Sequence, residues 1–526
     1  MAETGRRSES LVEFGSAQQG GRTAGARNRR LDRVAGKSQG VAGVISAPRP
    51  SRLSLAAICV AAFVAMLDTT VVGLILPRIG VDLHADVAGL AWVPNAYILT
   101  YALLIATAGV LGDRLGRRRQ FVSGLLMFAI GSAGCATAPG LLWLIAARVI
   151  QGAGAAAMLT MALALISTTF TERRQWAVAI YVMVGSGAAA LGPLVGGLLA
   201  QLGGWRFVFL VQVPIALAGV LLCLATLSES RGIARRADWV GLALASLALL
   251  ALNAVLLQGA RWGWSSNITL GAAATGFGAL VAFVRWEARV DHPMLSIAIF
   301  GEPRLLAYTI AGACAWFAVL ADVIYPSIYL QSDAGLAVGV AGLLVAAAAA
   351  TSVLVAPAVD PVVRRFGPER VLVASMFALL VAVSPWAFTR ADWPLWLTVG
   401  LLGLAAIPLT FVLAVSAAGA LASFPVAAAG LGAASFNSVR QVGSALGVSV
   451  PAVALTTVLS GRQLTLGVRG LDGALDAAFA VRALVIAMAA VASTILLLQA
   501  DRQRRLTSVR ARPAAMTHQQ STRGSK

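Results

Sequence analysis

Residues 109–119 read Gly109-Val110-Leu111-Gly112-Asp113-Arg114-Leu115-Gly116-Arg117-Arg118-Arg119, a charged, glycine-rich joint between apolar runs that start near Leu90 and Gln120. Glycines let two helix ends pack closely, and Asp113 with its arginines can form a charged latch where the chain turns. Each flanking run has about 20 residues, the length of helix that crosses a hydrocarbon core. Working outward, the same alternation recurs along the chain. Apolar runs start near Leu53, Leu90, Gln120, Leu141, Gln175, Phe207 and Asp238, then near Ile268, Leu305, Gly335, Val371, Trp393, Ala427 and Ala477. This pattern predicts an all-α integral membrane protein of fourteen spans.

Composition agrees. Of 526 residues, 59% are hydrophobic and 12% charged, against about 25% charged in soluble domains, and one aqueous core has no room for so many apolar helices. The net charge of +19 is decided by its location. The tails and the connections after even-numbered spans hold 32 of the 41 Lys and Arg; the opposite connections hold 7, Arg482 among them; Arg148 and Arg440 remain within spans. That bias predicts a multi-pass protein with both termini in the cytoplasm. No basic stripe alternates with aromatics on a soluble domain, so nucleic acid is excluded as a partner. Residues 1–52 read as a disordered basic cytoplasmic tail and 501–526 as a second one. The four cysteines fall inside spans without metal or redox spacing, and the three histidines do not converge on a metal site. No Gly-x4-Gly-Lys-Ser/Thr loop is present to draw on ATP, and no cluster of His, Cys or carboxylates marks a membrane enzyme.

Further motifs extend the first. Span one reads Leu67-Asp68-Thr69-Thr70-Val71-Val72-Gly73-Leu74-Ile75-Leu76-Pro77, and span four Arg148-Val149-Ile150-Gln151-Gly152-Ala153-Gly154. Span five carries Gly187 and then Gly192-Pro193-Leu194-Val195-Gly196-Gly197, residues that bend a helix and permit close packing. Trp205-Arg206-Phe207 precedes Val213-Pro214-Ile215, and span thirteen reads Phe436-Asn437-Ser438-Val439-Arg440-Gln441-Val442-Gly443. Together these resemble the major facilitator superfamily, and its fourteen-helix drug–proton antiporter branch in particular, over nearly all of the chain from Leu53 to about Leu498. Gly73 departs from that branch, which usually has Asn there, and this puts a polar contact in doubt. Asp360 with Arg364-Arg365-Phe366-Gly367 is a weaker echo of the 109–119 joint.

The resemblance implies the major facilitator fold: two six-helix bundles, 53–230 and 291–500, with two inserted helices at 231–290. It implies that Gly109, Gly112, Asp113, Arg114, Gly116, Arg117 and Arg118 form a conformational gate. It associates Arg148 with proton coupling, and Gly187, Gly192, Pro193, Gly196 and Gly197 with antiporters rather than importers. The function implied is proton-coupled efflux of small amphipathic molecules by alternating access, in drug or antibiotic resistance or secondary-metabolite export. The partners implied are the lipid bilayer, a small-molecule substrate and protons. The setting is a bacterial plasma membrane, with the proton gradient as energy source, no cofactor, no enzymatic activity, and a monomer as the functional unit. An importer or metabolite permease of the same superfamily is the alternative, and a membrane sensor or scaffold a more distant one.

Ionisable groups at membrane depth need a reason. Asp68 lies roughly 22 Å from the inner end of span one and Arg148 roughly 10 Å from the outer end of span four, at 1.5 Å per residue. In a core of about 30 Å the two share a depth. Burial raises a carboxyl pKa and a nearby arginine lowers it, so Asp68 and Arg148 are the proton-coupling candidates; the alternative is a static ion pair. Gln151, Asp322, Asn437 and Arg440 are candidates to line the substrate cavity. For Asp322 the other reading is snorkelling to the outer interface, and for Arg440 hydrogen bonding to neighbouring carbonyls. Trp92, Trp316, Tyr325 and Trp386 are assigned to the interfacial belt, with lining of a substrate pocket as the alternative.

Overall fold

The computed structural model describes residues 51–232, 237–290, 293–295, 301–389, 393–424, 429–459 and 472–521. The tail expected at 1–52 thus lies outside the described residues as far as residue 50. Ser51 Oγ accepts from Ser54 N at 3.1 Å and starts α1 (Arg52–Asp82); Asp86 Oδ1 accepts from Gly89 N at 2.9 Å and starts α2 (Val87–Leu115), each satisfying a free first-turn donor. Gly116, at φ 115°, ends α2 and opens α3 (Arg117–Ala136), a turn that a residue with a Cβ would strain. Then follow α4 (Leu141–Thr169) and α5 (Arg174–Thr226), whose 53 residues form two limbs that meet at Gly204, φ 75°. The inserted pair is α6 (Trp239–Trp262) and α7 (Asn267–Glu287). The second half comprises α8 (Pro303–Ser332), α9 (Val338–Val355), α10 (Pro368–Val383), α11 (Leu395–Ser423), α12 (Ala429–Leu459) and α13 (Asp472–Ser521).

Among the described residues there is no strand, and twelve helices are long and apolar enough to cross a membrane. Counting the two limbs of α5 separately and adding α3, shortened to 20 residues and opening on three arginines, every one of the fourteen expected runs has its helix. Leu142 and Leu202 are 81% and 80% exposed, with many other large apolar side chains outward, a surface suited to lipid rather than water. α1, by contrast, is buried on nearly every side.

Two results differ from expectation. The helix α13 runs on to Ser521, where a disordered tail was expected, because Ala, Arg and Gln dominate that stretch and favour helix. Tyr325 and Trp386 are not interfacial: both are buried, Tyr325 donating to Val448 O at 2.5 Å and Trp386 packed on Tyr329 and Phe479.

Within the first half α1 packs on α5, and α4 on α2 and α3; within the second, α8 packs on α11, α12 and α13. The halves meet with a twofold logic: α2 lies against α12, the first limb of α5 against α9, and α1 against α8. Second helix thus meets fifth helix in both directions, as repeated bundles do.

The α3–α4 seam shows why glycine is needed. A Cβ on Gly154 would lie 2.6 Å from Phe128 N, and one on Gly124 2.6 Å from Met158 N. Backbone cannot retreat as a side chain can, so Gly154→Val costs about 1–3 kcal/mol. Its melting temperature in detergent falls by several degrees relative to wild type, and an unchanged value would mean that the seam is looser than described.

Candidate functional site

The polar centre of the first half is built by five helices, α1 to α5, that each bring one or two polar residues out of an apolar run. Arg148 of α4 donates from Nη1 to Asp68 Oδ2 of α1 at 2.6 Å, and both side chains are sealed, 1% and 0% exposed. The same Nη1 donates to Gln151 Oε1 at 2.6 Å and Nε donates to Val93 O of α2 at 3.1 Å, and the guanidinium carbon lies 4.4 Å from the Tyr97 ring centroid. Asp68 Oδ1 also accepts from Gln151 Nε2 at 3.1 Å and Gln212 Nε2 at 3.3 Å, while Gln151 Nε2 donates to Ser132 Oγ at 2.9 Å. Gln151 was expected in a cavity wall; the structure buries it wholly in this network instead. Gln212, Ser132 and Tyr97 were not singled out from sequence. Gln212 stood out only as one amide inside an apolar run, at Val211-Gln212-Val213-Pro214.

A carboxylate so placed has two states that differ by one proton. Ionised, it matches Arg148 and the two amides. Protonated, it breaks the charge match and leaves Arg148 with Val93, Gln151 and the Tyr97 ring.

The 109–119 joint sits at the end of the first half opposite Asp82. Asp113 Oδ1 accepts from Arg117 Nε at 2.9 Å, and a partner that sequence reading missed, Glu229, accepts from the backbone N of Arg118 and Arg119 at 3.0 and 3.1 Å. An anion at the first turn of α3 is favourable there. Arg118 Nη1 donates to Leu227 O at 2.9 Å, and Arg117 N to Ser230 O at 2.8 Å. The joint is therefore bolted to segment 227–232 of its own half. Gly112 admits Met161 of α4, Gly109 faces Thr160, and Arg114 points outward, exposed.

The span-five glycines divide their work. Gly192 faces Thr70 and Gly196 faces Val71 of α1, whereas Gly197 and Pro193 O lie against Gly339 and Gly342 of α9, across the two halves. Gly187 has open space beside it. Gly73, the residue that departs from the branch pattern, meets Ile324 and Val323 of α8 so closely that a Cβ would be 2.9 Å from Ile324. The missing Asn is thus replaced by a close approach of the first helices of the two halves.

In the second half, Asp322 of α8 does not snorkel outward. It is paired with Arg482 of α13, which is fully buried and also donates to Val383 O at 3.3 Å. Arg482, assigned from sequence to a connection, lies ten residues inside α13. Asn437 and Arg440 of α12 stand apart from both ion pairs: Asn437 Nδ2 donates to Tyr101 OH of α2 at 3.2 Å, and the Arg440 guanidinium carbon lies 4.6 Å from the Trp316 ring centroid. No neighbouring carbonyl accepts from Arg440 among the described residues. The inserted helix α6 joins the contact between halves, since Ser449 Oγ lies 2.8 Å from Asn95 Nδ2 and 3.2 Å from Asn253 Oδ1.

The contacts between halves, from Asn437–Tyr101 through Asn95–Ser449 to Gln331 Nε2 donating to Leu74 O at 2.8 Å, run from mid-helix to the end that carries Asp82. At the other end the described ion pairs, Asp113–Arg117 and Arg304–Glu369, each stay within one half.

A model of the Major Facilitator Superfamily matches residues 58–448. The chain is 32% identical over 416 residues to the tetracenomycin C resistance and export protein of Streptomyces glaucescens, spanning 77% of this chain and 76% of that protein. It is 31% identical over 416 residues to the multidrug resistance protein Stp of Mycobacterium tuberculosis, spanning 78% and 77%. Its fold is similar to that of a bacterial homolog of the human lysosomal transporter Spinster, with a TM-score of 0.60 over 85% of this chain and 96% of the other at 17% identity.

Proposed function

From the premise that the chain belongs to the major facilitator superfamily, we propose that it exports small amphipathic compounds of the antibiotic and drug class in exchange for protons, by alternating access, and carries out no chemistry on them. The observation that carries this reading is the sealed Asp68–Arg148 pair within the membrane-spanning part of the first half, where α1, which carries Asp68, also packs on α8 of the other half. A proton taken up on an Asp68 carboxylate oxygen converts it to a neutral acid and loosens its grip on Arg148; release of that proton to the other side restores the pair. The relatives whose names speak of resistance and export supply the cargo class.

With both termini cytoplasmic, as the arginine bias favours, the end bearing Asp82 is outer. The structure then corresponds to the outward-closed half of the cycle, and Pro193 and Gly197 lie on the surface between the halves that slides as it opens. In inverted membrane vesicles a pH gradient alone drives uptake of an exported dye, nigericin abolishes it, and ATP is not required. Uptake that survives collapse of the whole protonmotive force and requires ATP overturns the reading.

A further inference from the structure

Three arginines lie within the membrane-spanning helices against aromatic rings, Arg148 and Arg482 fully buried and Arg440 partly accessible, and they differ in their partners. Arg148 is neutralised by Asp68 and Arg482 by Asp322. Arg440 has no carboxylate partner among the described residues. Its guanidinium stacks on Trp316 of α8, 4.6 Å from the ring centroid, and its side chain remains partly accessible. Two buried donors at this one place, Arg440 Nε and Trp316 Nε1, have no acceptor. Both groups can only donate, and most buried donors in native structures have an acceptor, from protein, water or ligand. An uncompensated cation at this depth is costly for the same reason that Asp68 and Asp322 each keep an arginine.

Neighbouring residues give the place a shape. Asn437, one turn before Arg440, reaches Tyr101 of the first half, and Ser438 Oγ lies 3.4 Å from Ala102 O. The site therefore straddles the two halves where they meet at mid-helix. Trp316 and Tyr101 supply aromatic rings beside Arg440 and Asn437.

We propose that Arg440 and Trp316 bind an anionic, planar aromatic group of the exported compound, with a carboxylate or phenolate oxygen accepting from Arg440 Nε and Trp316 Nε1. This rests on the export reading and names the substrate class for it. The ligand's negative charge supplies the counter-ion that the protein leaves out, and its ring lies against Trp316 and Tyr101. The site senses charge, so it separates acids from neutral or cationic compounds of the same shape.

The test uses the purified full-length protein in detergent with no gradient, so that binding is read apart from coupling. The probes are anthracene-2-carboxylate, its uncharged carboxamide and 2-anthracenylmethylammonium, followed by fluorescence anisotropy. Wild type binds the carboxylate saturably, at least about tenfold more tightly than the amide, the scale of a hydrogen bond to a charged group. Arg440→Gln loses that preference, Arg440→Lys retains most of it, and Trp316→Phe weakens the carboxylate alone. If Arg440→Gln does not elute as a folded species, the Lys and Phe variants carry the comparison. Equal binding of the amide or the ammonium probe, an intact preference in Arg440→Gln, or no saturable carboxylate binding overturns the proposal. A charge preference that persists in a protein whose vesicle uptake ignores the proton gradient would count against antiport and leave this site standing.

Discussion

Asp68→Asn reaches the membrane at near wild-type abundance and loses gradient-driven efflux by about 100-fold, the scale of removing a positioned proton carrier. The substitution is nearly isosteric and resembles the protonated acid, a state the cycle itself visits. Arg148 is not abandoned, because Val93 O, Gln151 Oε1 and the Tyr97 ring still hold it. Downhill exchange of substrate persists, since only the coupling group is gone. Membrane abundance and pH-driven efflux are measured together, with and without Arg148→Gln. Full efflux in the single mutant removes Asp68 from coupling. Low abundance that Arg148→Gln restores, along with activity, makes the pair a static clamp.

Arg482→Gln shows the opposite pattern: stability falls first. Asp322 has Arg482 as its ion partner, and Arg482 is fully buried, so the mutant strands a carboxylate among apolar helices at a cost of about 3–5 kcal/mol. The pair ties the first helix of the second half to the last one, and its loss loosens that bundle. Replacing both residues with apolar ones of similar size, Asp322→Leu with Arg482→Met, restores the melting temperature in detergent. An unchanged melting temperature in Arg482→Gln would show that water already reaches the pair.

These two carboxylates look alike in sequence, each one acid in an apolar run, and the structure separates them. Asp68 is held by three polar side chains, Arg148 and Gln151 of α4 and Gln212 of α5, a network with more than one way to pair its donors. Asp322 is held by an arginine 160 residues further along the chain. The equal depth of Asp68 and Arg148 was legible from helix rise alone, because position along a span converts directly into depth. Which face of each helix they occupy was not, since that depends on neighbours the chain supplies elsewhere.

The sequence by itself determined the membrane class, the places where helices begin and the family, because transfer from water to lipid is additive over a local window and because glycine, proline and arginine motifs are local too. Tertiary structure alone decided the partners. Glu229 reaches back to Arg118 and Arg119 across 111 and 110 residues, Gln212 joins Asp68, and Arg482, near the start of the last span, finds Asp322 of α8 in a buried ion pair. Arg440 is the clearest case: its sequence neighbours mark it as an arginine inside a span, but only the folded arrangement shows that, unlike Arg148 and Arg482, it has no carboxylate partner among the described residues. Hydrophobicity sorts segments into the bilayer, whereas the pairing of charges inside it is a matter of distance between residues far apart in the chain.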